Sequence, residues 1–151
     1  MNSKQENTPL NILLADDDPD DCFFFKGALE KLEMPTLLTI VNDGDQLMNY
    51  LSKNEEQLPD ILFLDINMPR KNGFECLYEI KHNKKLKDLP VVMFSTTSAR
   101  DAINTVFKGG VHIFITKPGD FDQLVQVIRH ALPIVTEQLS SNSKLKYILN
   151  A

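Results

Sequence analysis

Short apolar runs alternate with longer stretches of helical period five times along the chain. Residues 11–15 (NILLA), 36–41 (TLLTIV), 61–64 (ILFL), 91–94 (VVMF) and 111–115 (VHIFI) predict strands, each bounded by polar or turn-forming residues. Four of the five are apolar nearly throughout, the pattern of parallel strands covered on both faces. The stretches between them carry helix signals. Asp18 is an N-cap candidate with Pro19 at the first helical position, and Phe25, Ala28, Leu29 and Leu32 then recur at i, i+3, i+4 and i+7. Asp43 opens a second helix bearing Leu47, Met48 and Leu51. A third is predicted from about Gly73 to Asn83 and a fourth from about Ala99 to Lys108. The fifth starts near Asp120, carries Leu124, Val127, Ile128 and Ala131, and is expected to stop at Pro133.

Strand and helix in strict alternation with short links imply a right-handed, doubly wound parallel sheet. At 151 residues the chain suits one α/β domain, read as residues 8–133, with a tail at 134–151. In that tail SSNSK reads as a loop, and residues 144–149 as a last helical turn or two. Phe23, Phe24 and Phe25 are consecutive, so one helix face cannot bury all three. Phe25 is expected in the core with one neighbour partly exposed.

Sixteen Lys and Arg against 21 Asp and Glu give a net charge of −5, which speaks against binding nucleic acid by phosphate neutralisation. The lysines at 81, 84, 85 and 87 read as a solvated helix end and loop. No apolar run approaches the ~20 residues that cross a bilayer, and the polar N-terminus lacks the apolar stretch of a secretion signal. Cys22 and Cys76 lie far apart with no CxxC spacing, as expected of packing residues in a reducing compartment. The chain reads as cytoplasmic.

In a doubly wound sheet the ligand site lies at the carboxyl ends of the strands, near the switch in strand order. The residues there are Asp16, Asp17 and Asp18, then Asp65 and Asn67, then Ser95 and Thr96, then Lys117-Pro118. Gathered carboxylates repel one another unless a cation neutralises them. Hard oxygen donors suit Mg²⁺, which keeps several waters and takes one or two carboxylates with a phosphate oxygen. Helix capping accounts for one Asp at 16–18 but not for three. A strand-end carboxylate such as Asp65 can attack phosphorus and become an acyl phosphate. Phosphoryl transfer asks the protein mainly for in-line placement and charge neutralisation. A cation, the Lys117 ammonium and a Ser or Thr hydroxyl would supply the charge and hydrogen bonds.

Together, ILLADDDPDD (12–21), DILFLDINMPRKNG (60–73), PVVMFSTTS (90–98) and FITKP (114–118) resemble the response-regulator receiver domain of bacterial two-component signalling. The likeness extends over about residues 10–132. It implies a flavodoxin-like (βα)5 fold with a five-stranded parallel sheet of order 2-1-3-4-5. Asp65 would be the phosphoacceptor. Asp16 and Asp17 would be the acidic pair for Mg²⁺, Asp17 as direct ligand and Asp16 largely through water, with the Asn67 carbonyl completing the protein ligands. Asp18, one place beyond the pair, would cap the helix. Lys117 would pair with the phosphoryl group, and Pro118 would follow a cis peptide bond. Ser95 matches the switch hydroxyl and Phe114 the switch aromatic, while Met68, Pro69 and Gly73 match the loop after the acceptor. Asn67 and Thr97 would flank the water that hydrolyses the acyl phosphate.

The resemblance implies a single-domain signalling protein and not an enzyme, with weak self-dephosphorylation. A sensor histidine kinase, phytochrome-type kinases among them, or a phosphotransfer protein would donate the phosphoryl group. Ser95 would then move toward it and Phe114 would turn inward, altering the face formed by the fourth helix, fifth strand and fifth helix. With about 18 residues after Pro133, no output domain is expected. Output would be a contact with another protein or onward phosphorelay, and homodimerisation through the switch face is a further expectation. Three other readings fare worse. A phosphohydrolase of the haloacid-dehalogenase type needs a second Asp two residues after the nucleophile, where this chain has Asn67. A nucleotide or flavin binder needs a Gly-rich loop after the first strand, where three Asp stand. A phosphorylation-independent pseudo-receiver would leave its site incomplete, and here every position is filled.

Overall fold

Each apolar run becomes a strand of one parallel sheet: β1 (Leu10–Ala15), β2 (Thr36–Val41), β3 (Ile61–Leu64), β4 (Val91–Ser95) and β5 (Ile113–Thr116). In this computed structural model, which describes residues 8–97, 99–138 and 147–149, the helices alternate with them. They are α1 (Pro19–Glu30), α2 (Gly44–Lys53), α3 (Gly73–Lys81), α4 (Arg100–Lys108) and α5 (Phe121–Pro133). The strand order is β2-β1-β3-β4-β5, as expected, and a sixth strand, β6 (Tyr147–Leu149), extends it beyond β5.

Polar caps set the helix starts. The Asp18 carboxylate accepts from the Asp20 and Asp21 N–H groups, Asp43 from Gln46, and Asp120 from Asp122 and Gln123. Asn72 and Glu75 form a reciprocal capping box on α3. Only α4, which follows β4, begins without a side-chain cap among these helices.

Period-two alternation along the strands divides the core into two layers. Ile12, Leu14, Phe63, Phe94 and Ile113 pack with Phe25 of α1 and Leu124 and Ile128 of α5. Leu13, Leu62, Leu64, Met93 and Phe114 pack with Leu47 of α2, Leu77 of α3 and Val106 of α4. Phe25 meets Phe63 and Phe94 edge-on at ring separations of 4.9 and 5.5 Å, which seats α1 on the sheet.

Three features depart from the sequence reading. Tyr147–Leu149, expected in a helical turn, is β6, paired in parallel with Ile113–Ile115. The Tyr147 N–H donates to the His112 carbonyl at 2.7 Å, and Tyr147 and Leu149 pack on the α1/α5 side of the core. An otherwise open edge strand and an apolar Tyr-Ile-Leu triplet explain the pairing. The expected loop at 140–144 lies outside the described residues.

Pro133 does not stop the chain's helical path; a π-helical turn continues over Ile134–Gln138. The missing proline N–H disrupts the α-helical ladder, and the wider turn keeps Ile134 and Val135 buried. Each such side chain contributes roughly 1.5–3 kcal/mol when fully buried, enough to offset a broken turn. Finally, both Phe23 (70% exposed) and Phe24 (47%) face outward, because successive helical residues are rotated by about 100° and only Phe25 points at the sheet.

Candidate phosphoryl and cation site

The site is assembled where β1, β3, β4 and β5 end. Asp16 is held by its N–H donating to the Val41 carbonyl and Asp65 by its N–H donating to the Ala15 carbonyl, both at 3.0 Å, so the two backbones extend the sheet's own hydrogen-bond ladder and fix where their carboxylates start. Asp16 is fully buried and Asp65 nearly so. Carboxylate oxygens of Asp16, Asp17 and Asp65 lie within 4.8 Å of one another, with Asp17 on the solvent side. Asp16 Oδ1 also accepts from the Asp18 N–H at 3.0 Å. Asp18 itself caps α1, as expected.

Lys117 enters from the end of β5. Its N–H donates to the Ser95 carbonyl at 2.8 Å, which ties the ends of β4 and β5 together. Its Nζ donates to Asp16 Oδ2 at 2.6 Å and to Asp21 Oδ2 at 2.9 Å, and lies 3.5 Å from Asp65 Oδ2. The Phe94 ring lies beneath it, 5.3 Å from Nζ. Beside this ammonium is a cavity of about 310 Å³, walled on one side by Phe24, Phe94, Phe121 and Leu124.

Charge is unbalanced here. Asp16, Asp21 and Asp65 converge on the ammonium of Lys117, and the Asp17 carboxylate adjoins those of Asp16 and Asp65. Burial pushes the Asp65 carboxyl up to about 6; Lys117 opposes the shift, and the neighbouring Asp16 charge adds to it. Backbone N–H groups of Asn67 and Ile66 point at the same carboxylate and favour its ionised form. Burial likewise raises Asp16. Burial works against the charge of Lys117, yet hydrogen bonds to Asp16 and Asp21 hold its pKa above the ordinary lysine range. Surplus anionic oxygens within reach of one another suit a hard divalent cation, so the residues fit the Mg²⁺ expected from the sequence.

The loop after Asp65 is pressed close to its neighbours. A Cβ on Gly73 would stand 2.3 Å from the Asp65 carbonyl oxygen, and one on Gly44 would stand 2.0 Å from that of Lys71. Arg70 takes a left-handed backbone conformation (φ 68°) and its Nε donates to Asp43 Oδ2 at 3.2 Å. The ion pair from Lys71 to Glu79 fixes the far side of the loop.

The expected residues do not all meet. Asp16, Asp17, Asp65 and Lys117 converge. Ser95 is fully buried at the end of β4, and its Oγ accepts from the Thr97 N–H at 3.4 Å. The Asn67 N–H is aimed at Asp65, while its side chain is exposed. Phe114 is fully buried in the α2–α4 layer, so the inward position it was expected to reach on switching is already filled. Strand alternation turns this residue into the core regardless of the site. The peptide bond before Pro118 is trans, not cis. Trans is the ordinary preference of a prolyl bond, by about 0.5–1 kcal/mol. Asp21 was not foreseen as a site residue. Its signal was an acid in the first turn of α1, which the helix dipole alone would favour.

Comparisons with known proteins agree with this fold. The family model for the response regulator receiver domain matches residues 12–129. The chain is similar to the response regulator Rcp1 of Synechocystis sp. (strain ATCC 27184 / PCC 6803 / Kazusa), with 30% identity over 131 residues that cover 84% of this chain and 89% of that protein. Among solved structures it resembles the phosphorylated cyanobacterial phytochrome response regulator RcpA, with a TM-score of 0.79 and 31% identity over 86% of this chain and 96% of that one. The Mn²⁺-bound form of Rcp1 gives a TM-score of 0.76 and 29% identity, with the same coverage of 86% and 96%. No helix among the described residues is long and apolar enough to cross a membrane. A receiver-domain match over most of the chain, on a doubly wound sheet with acids and lysine at its strand ends, makes this chain a member of the response-regulator family of two-component signalling.

Proposed function

We propose that the chain is a phosphorylation-dependent switch whose acceptor is Asp65. The observation that carries this reading is the Lys117 ammonium seated between Asp16 and Asp65, beside three mutually close carboxylates. A carboxylate oxygen of Asp65 would form a bond to phosphorus as the phosphorus–nitrogen bond of a phosphohistidine breaks. The imidazole would leave with the bonding electron pair and take up a proton. Lys117 would neutralise one phosphoryl oxygen, and the Ser95 hydroxyl, now accepting from Thr97, would hydrogen-bond another. Asp16, Asp17, Asp65 and the Asn67 carbonyl would hold Mg²⁺, which supplies further charge neutralisation when bound. Asn67 and Thr97 would flank the approach of water, and slow hydrolysis there would return Asp65 to a carboxylate.

The donor would be a histidine kinase, of phytochrome type by the likeness to RcpA, or a phosphotransfer protein in the cytoplasm. Residues 8–133 would form the receiver, with 134–151 as an appended tail whose β6 borders the β5 edge. Because Phe114 is already inside, switching would start at Ser95 and the uncapped start of α4 and spread over the α4–β5–α5 face. That face would meet an output protein, a second copy, or the next member of a relay. Intact mass after incubation with Mg²⁺ and acetyl phosphate tests the reading. One added phosphoryl group is expected, absent without Mg²⁺ and absent in Asp65→Asn. If neither acetyl phosphate nor beryllofluoride alters the wild-type site, the chain is instead a phosphorylation-independent binding module.

A further inference from the structure

We infer that Asp21 is a positioning residue for Lys117, the anchor that keeps its ammonium facing the phosphoryl-accepting side of Asp65. The inference rests on the phosphoacceptor reading above and adds to it a residue outside the acidic cluster. Asp21 lies in the first turn of α1, and its Oδ2 accepts from the Lys117 Nζ at 2.9 Å. It is half-buried, while the lysine side chain is 8% exposed.

A lysine ammonium has three N–H donors. In this structure two are taken by Asp16 and Asp21, and the third faces Asp65 at 3.5 Å. These partners differ in one respect. Asp16 and Asp65 belong to the group of close carboxylates that could hold a cation, whereas Asp21 does not. A divalent cation would therefore draw on the Asp16 carboxylate that now holds Lys117, and the Asp65 oxygen would become part of the acyl phosphate. Only the Asp21 bond is independent of both events. A long, flexible side chain held by one such bond keeps a free N–H for a phosphoryl oxygen without losing its orientation. Phe94 lies below the ammonium, and the cavity beside it is walled by Phe24 and Phe121 with Asp120 also on its lining, the Asp120 carboxylate being engaged in capping α5.

The opposite sign is also physically coherent. Asp21 could merely drain charge from Lys117 and repel an incoming dianion, in which case removing it would speed phosphorylation. The donor count favours anchoring, because Asp21 and a phosphoryl oxygen can bind Lys117 at the same time.

The test compares wild type, Asp21→Ala, Asp21→Asn and Asp21→Glu as full chains. With saturating acetyl phosphate and Mg²⁺, Asp21→Ala should lower the maximal phosphorylation rate about tenfold, with the half-saturating Mg²⁺ concentration changed less than twofold. Asp21→Glu should recover part of the rate, and Asp21→Asn should fall between. Independently of activity, ¹⁵N spectra of the lysine ammonium groups should show one Nζ signal protected from water exchange in wild type, with and without Mg²⁺, and unprotected in Asp21→Ala. A faster Asp21→Ala, or an unchanged rate with an unchanged Nζ signal, overturns the inference while wild-type phosphorylation stands. Failure of wild type itself to gain a phosphoryl group overturns the phosphoacceptor reading instead. A variant with slowed rate but altered Mg²⁺ dependence or collapsed thermal stability counts against positioning, and Asp21→Glu separates that case from a folding defect.

Discussion

The Lys117 ammonium sits 2.6 Å from the carboxylate of fully buried Asp16, closer than to the Asp65 carboxylate it is expected to serve. In the metal-free protein this lysine thus occupies part of the role a cation would take. Lysine and cation compete for one carboxylate, and the outcome of that competition can be measured.

Lys117→Met removes the competitor and keeps the length of the stem. Its Mg²⁺ affinity should exceed that of wild type, by titration calorimetry, although its phosphorylation by acetyl phosphate should be far slower. Without metal the variant should lose stability, on the order of 3–5 kcal/mol, because Asp16 and Asp65 are left buried and unpaired. For wild type, Mg²⁺ at ten times its dissociation constant should contribute about 1.4 kcal/mol. For a chain of this size that raises the thermal midpoint by about 3–6 °C. Equal Mg²⁺ affinity in wild type and Lys117→Met would show that the ion pair and the cation do not share Asp16.

Asp65 gives metal-free wild type a pH dependence of defined sign. Its carboxyl is pushed up to about 6 from a reference of 3.8, so the folded state binds this proton more tightly than the unfolded state. Stabilisation from the bound proton is fully present below pH ~4 and is lost as pH rises through 6. The accumulated loss at neutral pH is on the order of 3 kcal/mol. Asp65→Asn should therefore be more stable than wild type at pH 7.5 in chelator, and the advantage should shrink toward pH 4. Urea unfolding at several pH values checks it; a destabilised Asp65→Asn at pH 7.5 would contradict the charge imbalance described here.

How much of this was legible beforehand follows from where each residue lies. Asp16 and Asp65 directly follow apolar runs and Lys117 stands two residues after one, and a parallel sheet brings all strand ends to one edge, so their convergence could be read from order alone. Asp21 lies within a helix, where an acid in the first turn already has a sufficient explanation in the dipole. Its direction toward Lys117 depends on how α1 is rotated, which Phe25 sets by packing on Phe63 and Phe94. The strand at Tyr147–Leu149 is three residues long and gains its partner from a distant β5, a pairing with no local signature. Pro133 misled because a local backbone penalty was outweighed by burial of Ile134 and Val135.

Burial pushes the thiols of Cys22 and Cys76 up to about 11 and about 12. Both are buried, in opposite core layers, and neither is in a disulfide. The thiolate is the reactive form, so the folded protein should resist a thiol reagent at pH 8, with both groups reacting on unfolding in denaturant. The unfolded thiols ionise first as pH rises, so stability should fall between pH 9 and 11. Rapid reaction of either thiol at pH 8 would mean that its core layer opens without global unfolding.

Two glycines at different places should respond oppositely to the same substitution. Gly27 lies inside α1 without a positive φ, and a Cβ there would rest 3.4 Å from the Phe121 ring, an ordinary contact. Gly27→Ala relieves the entropic disadvantage of glycine in a helix and should stabilise by about 0.5–1 kcal/mol. At Gly73 the new Cβ would stand 2.3 Å from the Asp65 carbonyl oxygen, which is backbone and cannot swing aside. Gly73→Ala must displace either the start of α3 or the end of β3. The Gly73 N–H, which donates to the Ile66 carbonyl at 2.8 Å, would move with it. Loss of stability of at least about 1–3 kcal/mol is expected, the range for overpacking. The displacement would also shift the Asn67 and Ile66 N–H groups aimed at the Asp65 carboxylate, so phosphorylation should slow even in the fraction that stays folded. Chemical denaturation and acetyl phosphate kinetics on the two variants separate these effects. A Gly73→Ala protein of wild-type stability and rate would show that the loop after the acceptor is not held as closely as its backbone contacts indicate.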